Sequence, residues 1–192
     1  MRLARATLAM LEFPPAFYAV IRAIDGFTDA TGKLVSLAML YILVALGYEA
    51  FSRYLLNAPT NWAPETSIMA NGAAFMLGCG YALLKRAHVR TDLFWNRYSG
   101  RKQGAIDLVS YLLLFFPAML ALVWIGVGDV WYSFRIGEVS ALTPLGAVMW
   151  PFRAALPLAA LLLIVQGVSE TLKSWYAVRT GREYERREGA EL

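Results

Sequence analysis

The sequence predicts an all-α integral membrane protein with four transmembrane helices. Of its 192 residues, 58% are hydrophobic and only 17% are charged, whereas soluble domains carry about 25% charged residues. The apolar residues fall in four long runs, and a run of about 18 or more is long enough to span a bilayer as a helix. The basic residues stand beside these runs, which is typical of membrane proteins. The net charge of +4 therefore indicates a lipid bilayer as partner, and no nucleic acid.

The chain is interpreted as one membrane domain, residues 1–192, that starts with an interfacial lead-in at 1–32. Beyond Pro15, apolar residues recur at helical spacing, with charged residues on the other side: Phe17, Val20, Ile21 and Ile24 against Arg22 and Asp25. This pattern predicts a short amphipathic helix lying on the membrane surface.

The four spans follow in order, separated by polar segments. Asn57, Pro59 and Asn61 indicate a tight turn between the first two spans. The predicted segments are span one at 34–56, span two at 62–84, a basic loop at 85–107, span three at 108–131, a loop at 132–150, span four at 151–172 and a tail at 173–192.

The distribution of positive charge predicts the orientation. Of the 18 Lys and Arg residues, all but Arg53, Arg135 and Arg153 fall in the two terminal segments and the 85–107 loop. Positively charged residues are retained on the cytoplasmic side. We therefore expect both termini and this loop in the cytoplasm, and the 132–150 loop in the periplasm.

Small residues repeat every four positions along the second span: Ala70, Ala74, Gly78 and Ala82. Lipid tails are as apolar as leucine, so helices in a bilayer associate mainly through close packing of small residues. The stripe predicts a helix-packing face. Its partner is either another span of this chain or a different subunit.

Three ionisable residues lie within the helical pattern near the outer interface: Glu49, Arg53 and Glu65. Glu49 and Arg53 are one turn apart and can pair along one helix face, and the short turn returns Glu65 to a similar depth. We interpret the three as an interfacial charge clamp on the first hairpin, with a structural role favoured over a functional one. Asp129, Arg135, Glu138 and Arg153 are interpreted as rim charges.

The sequence predicts no enzyme site and no cofactor. It has a single cysteine, Cys79, and a single histidine, His88, so an internal disulfide, a CxxC pair and a bis-histidine haem are excluded. No nucleophile–base set, phosphate loop or metal-ligand cluster is evident.

A succession of motifs suggests a family. The segment 53–57, Arg-Tyr-Leu-Leu-Asn, is followed by Pro59, Trp62 and Glu65, then by Gly78 and the segment 88–92, His-Val-Arg-Thr-Asp. This order resembles the small membrane subunit of tripartite ATP-independent periplasmic (TRAP) transporters, the DctQ-like family. The similarity continues more loosely through Pro144, Trp150, Pro157, Gln166, Gly167 and Glu170.

The resemblance implies a role in a three-part transporter. Such a subunit pairs with a large multi-span permease that carries the substrate and sodium sites, while a soluble periplasmic solute-binding protein captures the substrate, often an organic acid. The small subunit would be a fixed, non-catalytic scaffold in the bacterial inner membrane. Arg53, Trp62, Glu65, His88 and Asp92 carry over as motif positions, without an assigned chemical step.

Two other functions stay open on the sequence. One is a membrane anchor of a redox enzyme, although such anchors use several intramembrane histidines. The other is a small homo-oligomeric channel or exporter, against which the scarcity of charge at mid-membrane argues.

Overall fold

The computed structural model describes residues 13–85, 98–181 and Tyr184. The helices are α1 (Pro15–Leu55), α2 (Trp62–Leu84), α3 (Gly100–Ser110), α4 (Phe116–Ile136), α5 (Trp150–Arg153) and α6 (Ala155–Thr180), and a π-helical turn, Tyr111–Phe115, joins α3 to α4. Within the described part of the chain, four helical units are long and apolar enough to cross a membrane: α1, α2, α3 with α4, and α5 with α6. The predicted all-α class with four spans is confirmed.

Helix α6 lies at the centre of the bundle. It contacts α1, α2, α3 and α4, whereas α4 packs mainly on α6 and α2 packs on α1 and α6. The residues of α6 that are buried in these contacts include several small ones, among them Ala155, Ala159, Ala160 and Gly167. Because small side chains let helix backbones approach closely, α6 can pack against four neighbouring helices at once.

Glycines on both sides of the contact between the third span and α6 allow this close approach. A Cβ atom added at Gly104 would lie 2.8 Å from the Ser174 carbonyl oxygen, and one at Gly126 would lie 3.0 Å from the Pro157 ring. On α6 itself, a Cβ at Gly167 would meet the Phe115 ring at 2.5 Å. The third span is therefore seated on α6 along its length.

Helix α1 is longer than the sequence predicts. The expected lead-in at 1–32 and first span at 34–56 form one continuous helix from Pro15, and residues 1–12 lie outside the described part. At 1.5 Å per residue, α1 measures about 60 Å and α2 about 35 Å. Asp29 Oδ1 lies 3.7 Å from Lys85 Nζ at the end of α2, so the start of α1 projects past α2 and runs beside α6.

The continuity of α1 has a simple cause. Gly26 and Gly32 weaken a helix by only about 1 kcal/mol each, and buried residues lie on α1 in two groups, 17–28 and 45–52, joined by half-buried residues at spacings of three to four. The first group is Phe17, Ile21, Asp25 and Thr28, and the second is Ala45, Glu49 and Ser52. Near the start of α1, Phe17 and Ile21 form an apolar core with Tyr176 of α6.

The predicted second span, 62–84, coincides with α2. The third and fourth spans differ from the predicted ones, because their helices continue into the polar segments. Helix α3 begins at Gly100 inside the expected 85–107 loop, α4 continues to Ile136, and α6 continues to Thr180 inside the expected tail. Gly137 and Gly181 end α4 and α6 in left-handed conformations, with φ of 61° and 72°, as is common at helix C-termini. His88 and Asp92 lie outside the described residues.

Candidate functional site

The polar contacts of the bundle gather at its two ends. We call the end that carries the 56–61 turn and the 137–149 loop the loop end. At this end, Glu49 accepts hydrogen bonds from Arg53 Nε at 2.8 Å and from the backbone N–H of Thr60, also at 2.8 Å. The Thr60 hydroxyl is a further donor to the same carboxylate. Glu49 is buried whereas Arg53 is half exposed, so Glu49 fixes the turn between α1 and α2.

The structure does not bring Glu65 to Glu49 and Arg53. Glu65 lies in the first turn of α2, is fully buried, and accepts a hydrogen bond from the Thr143 hydroxyl in the 137–149 loop. An acidic side chain is favourable in the first turn of a helix. The predicted clamp is therefore divided: one part closes the first hairpin, and the other ties α2 to the second loop.

Arg153 organises a second group of charges at the loop end. Its guanidinium donates to Asp129 of α4 and, at 2.6 Å, to Glu138 of the loop. The pKa of Glu138 is lowered from its ordinary value of 4.5, chiefly by the hydrogen bond from Arg153 and then by that from Ser133. Three of the four predicted rim charges, Asp129, Glu138 and Arg153, thus join α4, the loop and α5. The fourth, Arg135, lies over the Trp131 ring.

The loop itself is held by its own backbone. The Ser140 N–H donates to the Ala147 carbonyl at 2.8 Å, the Met149 N–H donates to the Glu138 carbonyl at 3.0 Å, and Val139 and Val148 form an isolated antiparallel bridge. These hydrogen bonds hold the loop in a compact conformation. They place Thr143 beside Glu65 of α2 and Glu138 beside Arg153 of α5.

At the opposite end lies a buried polar cluster, which consists of Asp25 on α1 and Gln166, Ser169, Glu170 and Lys173 on α6. Lys173 Nζ lies 3.0 Å from an Asp25 carboxylate oxygen and 2.6 Å from Glu170 Oε1. The Ser169 hydroxyl donates to Asp25 at 2.7 Å, and Gln166 Nε2 donates to Asp25 at 3.2 Å and to Glu170 at 3.1 Å. All five residues are buried.

The sequence reasoning missed this cluster. Asp25 had been placed on the solvent side of a surface helix, whereas it faces α6. A signal was present, because the polar residues of α6 recur at positions 166, 169, 170 and 173, which is one face of a helix. An apolar span with one polar face indicates a polar partner on a neighbouring helix.

The small-residue stripe on α2, from Ala70 to Ala82, packs only in part against other helices of this chain. Ala74 is buried, but a Cβ atom at Gly78 would have nothing within 4 Å. Glycines on the opposite face of α2 make the closer contacts: a Cβ at Gly72 would lie 2.9 Å from the Phe152 ring, and one at Gly80 would lie 3.6 Å from Leu162 Cβ. Trp62 begins α2 and packs beside Tyr48 with ring centroids 5.8 Å apart.

The comparisons with known proteins agree on one family. Residues 26–176 match the family described as tripartite ATP-independent periplasmic transporters, DctQ component. Among curated proteins, the chain is 22% identical over 148 residues to the sialic acid TRAP transporter small permease protein SiaQ of Vibrio cholerae, covering 69% of this chain and 82% of the relative.

Proposed function

The chain belongs to the family of DctQ components of tripartite ATP-independent periplasmic transporters, and on this premise we propose that it is a fixed, non-catalytic scaffold for the large permease subunit of such a transporter. We place the complex in a bacterial inner membrane, with the loop end in the periplasm. Its work would be the ion-driven uptake of a small organic solute delivered by a periplasmic solute-binding protein.

The solute is proposed to be an organic acid. The relative from Vibrio cholerae is named for sialic acid, which is a carboxylic acid. Because the middle of each span lacks charged residues, we assign the choice of solute to the large permease and the binding protein.

The observation that carries the scaffold role is the distribution of charge along the spans. Residues 34–48, 66–84, 108–128 and 154–169 contain no Asp, Glu, Lys or Arg. A pathway for ions or organic acids needs polar groups lining a cavity at membrane depth. The charged residues described above are instead paired with one another near the two ends of the bundle.

The paired charges at both ends of the bundle also favour a rigid subunit over one that moves during transport. At the loop end, Glu49 closes the first hairpin and Arg153 joins α4 to the second loop. At the other end, Lys173 joins α6 to Asp25 of α1. Since both ends of α6 are held to neighbouring elements, the bundle suits a support against which a partner moves.

The test is a mild-detergent purification of the tagged chain from its native membranes, with partners identified by mass spectrometry. We expect one large multi-span permease in near-equal amount. Recovery of the chain alone as a stable homo-oligomer would reject the scaffold role and favour a channel or exporter. Solute uptake by proteoliposomes that contain only this chain would also reject it.

A further inference from the structure

A cavity of about 540 Å³ lies in the groove between α2 and the third span, with α6 as its floor. This volume is within the range of roughly 300–1,000 Å³ that is usual for ligand sites. Most of the lining is apolar, with four polar residues among it. The polar lining residues are Asp107, Ser110, Tyr111 and Glu170.

The polar and apolar parts of the groove are separated by depth. Its polar side chains lie level with the end of α2, which stops at Leu84, while Ala118, Met119 and Leu163 lie deeper in the spans. At 1.5 Å per residue, Glu170 is about 10 Å from Leu163 and Asp107 about 18 Å from Met119 along their helices. A ligand that fits must have a polar head at the membrane edge and an apolar tail in the membrane.

Glu170 gives the polar part of the groove a specific chemistry. Its side chain is buried, with a relative exposure of 4% for the residue, and its Oε1 accepts from Gln166 and Lys173. Both of these hydrogen bonds go to the same carboxylate oxygen. The buried polar cluster holds two carboxylates against one ammonium, so an additional cationic donor at this wall would be stabilised.

We propose that this groove binds one molecule of phosphatidylethanolamine, with an acyl chain along α4 and the ammonium headgroup at Glu170. The ammonium can donate hydrogen bonds to carboxylates, whereas the trimethylated amine of phosphatidylcholine has no N–H to donate. Asp107 adds a second carboxylate at this level, and the hydroxyls of Ser110 and Tyr111 are suited to the phosphate. The inference does not depend on the scaffold role, because the groove is formed by this chain alone.

The test uses the full chain, purified in detergent, stripped of lipid and mixed with equal amounts of phosphatidylethanolamine, phosphatidylcholine and phosphatidylglycerol. Native mass spectrometry then counts the retained lipids. We expect one retained phosphatidylethanolamine, favoured over phosphatidylcholine by about tenfold, which is the value of a charge-assisted hydrogen bond. Equal retention of the two lipids by the unaltered chain would overturn the proposal.

Two variants separate the tail from the headgroup. Ala118→Trp fills the groove and should abolish retention, while the control Leu120→Trp, at a 59% exposed position on the opposite face of the same helix, should leave it unchanged. Glu170→Gln keeps the shape and should remove the preference for the ethanolamine lipid.

Equal lipid retention by Ala118→Trp and Leu120→Trp would overturn the proposal. So would loss of the large permease on co-purification with lipid retention unchanged, because the groove would then be a subunit contact. If Glu170→Gln fails to fold, the competition between lipids on the unaltered chain still shows whether the groove prefers the ethanolamine headgroup to the choline headgroup.

Discussion

Lys173 joins α6 to α1 through a buried ion pair. Its ammonium bridges Asp25 and Glu170, and its side chain is only 9% exposed. Removing one member of a buried ion pair leaves an uncompensated charge and costs about 3–5 kcal/mol. We therefore expect Lys173→Met to lower the free energy of unfolding by about that amount in detergent titrations.

The matched control for Lys173→Met is Lys33→Met. Lys33 pairs with Asp29 at 2.7 Å, but its side chain is 75% exposed, and exposed ion pairs contribute only about 0–1 kcal/mol. If the two substitutions lowered the free energy of unfolding equally, burial of the Lys173 ion pair would not govern stability.

Glu138 makes part of the stability depend on pH. Its pKa is lowered in the folded chain by Arg153 and Ser133, so the fold favours the ionised carboxylate. The resulting stabilisation is present above the ordinary pKa of 4.5 and is lost as the pH falls through the lower folded pKa.

The measurement for Glu138 is the thermal unfolding midpoint in detergent between pH 7 and pH 3, for the unaltered chain and for Glu138→Gln. The difference in unfolding midpoint between the unaltered chain and Glu138→Gln should decrease as the pH falls through the acidic range. A difference that stays constant over the whole range would contradict a role for ionised Glu138.

The sequence could predict only those polar contacts that are local. Arg53 lies four residues from Glu49, so helical spacing alone indicates their pairing. Thr143 lies 78 residues from Glu65, and its position depends on how the second loop folds back. Sequence reasoning therefore assigned Glu65 to the nearest basic residue, Arg53, and treated Arg153 as an isolated charge.

At the scale of elements, glycine determines how closely α3 approaches α6. A side chain at Gly104 would collide with the backbone oxygen of Ser174, which cannot move without shifting α6. We expect Gly104→Ala to destabilise the chain by about 1–3 kcal/mol, as overpacking generally does. Unfolding in detergent, followed by circular dichroism, measures this loss.

Gly78→Ala is the control on α2, because the added methyl group has open space around it. In the isolated chain we expect it to be neutral or stabilising by about 0.5–1 kcal/mol, through better helix propensity. A loss as large as that of Gly104→Ala would contradict the packing described for α2. Whether the stripe from Ala70 to Ala82 contacts another subunit stays a prediction.

The sequence predicted the number of spans and the bounds of α2, but not where the other long helices begin and end. Hydropathy marks the part of a helix that lies in lipid, whereas α1, α3 and α6 continue into polar segments because tertiary contacts hold them there. Asp25 and Lys173 provide such a contact for α1 and α6. The close approach at Gly104 provides one for α3, and neither is visible in a hydropathy profile.

At the scale of the whole molecule, the orientation predicted from Lys and Arg is open to a direct test. In a Cys79→Ser background, Leu142→Cys in the second loop should react with a membrane-impermeant maleimide added to spheroplasts. Gln103→Cys on α3 should react only after the membrane is permeabilised. The reverse pattern of labelling would place the loop end in the cytoplasm.

The shortness of α2 determines how the molecule responds to the thickness of its membrane. With a length of about 35 Å, α2 exceeds the hydrocarbon layer of roughly 30 Å only slightly. Helices α1 and α6 continue beyond the end of α2, so they are long enough to span the hydrocarbon layer of a thicker bilayer. Hydrophobic mismatch therefore acts first on α2, and in a thick membrane its polar ends would be drawn into the hydrocarbon unless the lipid around it thins.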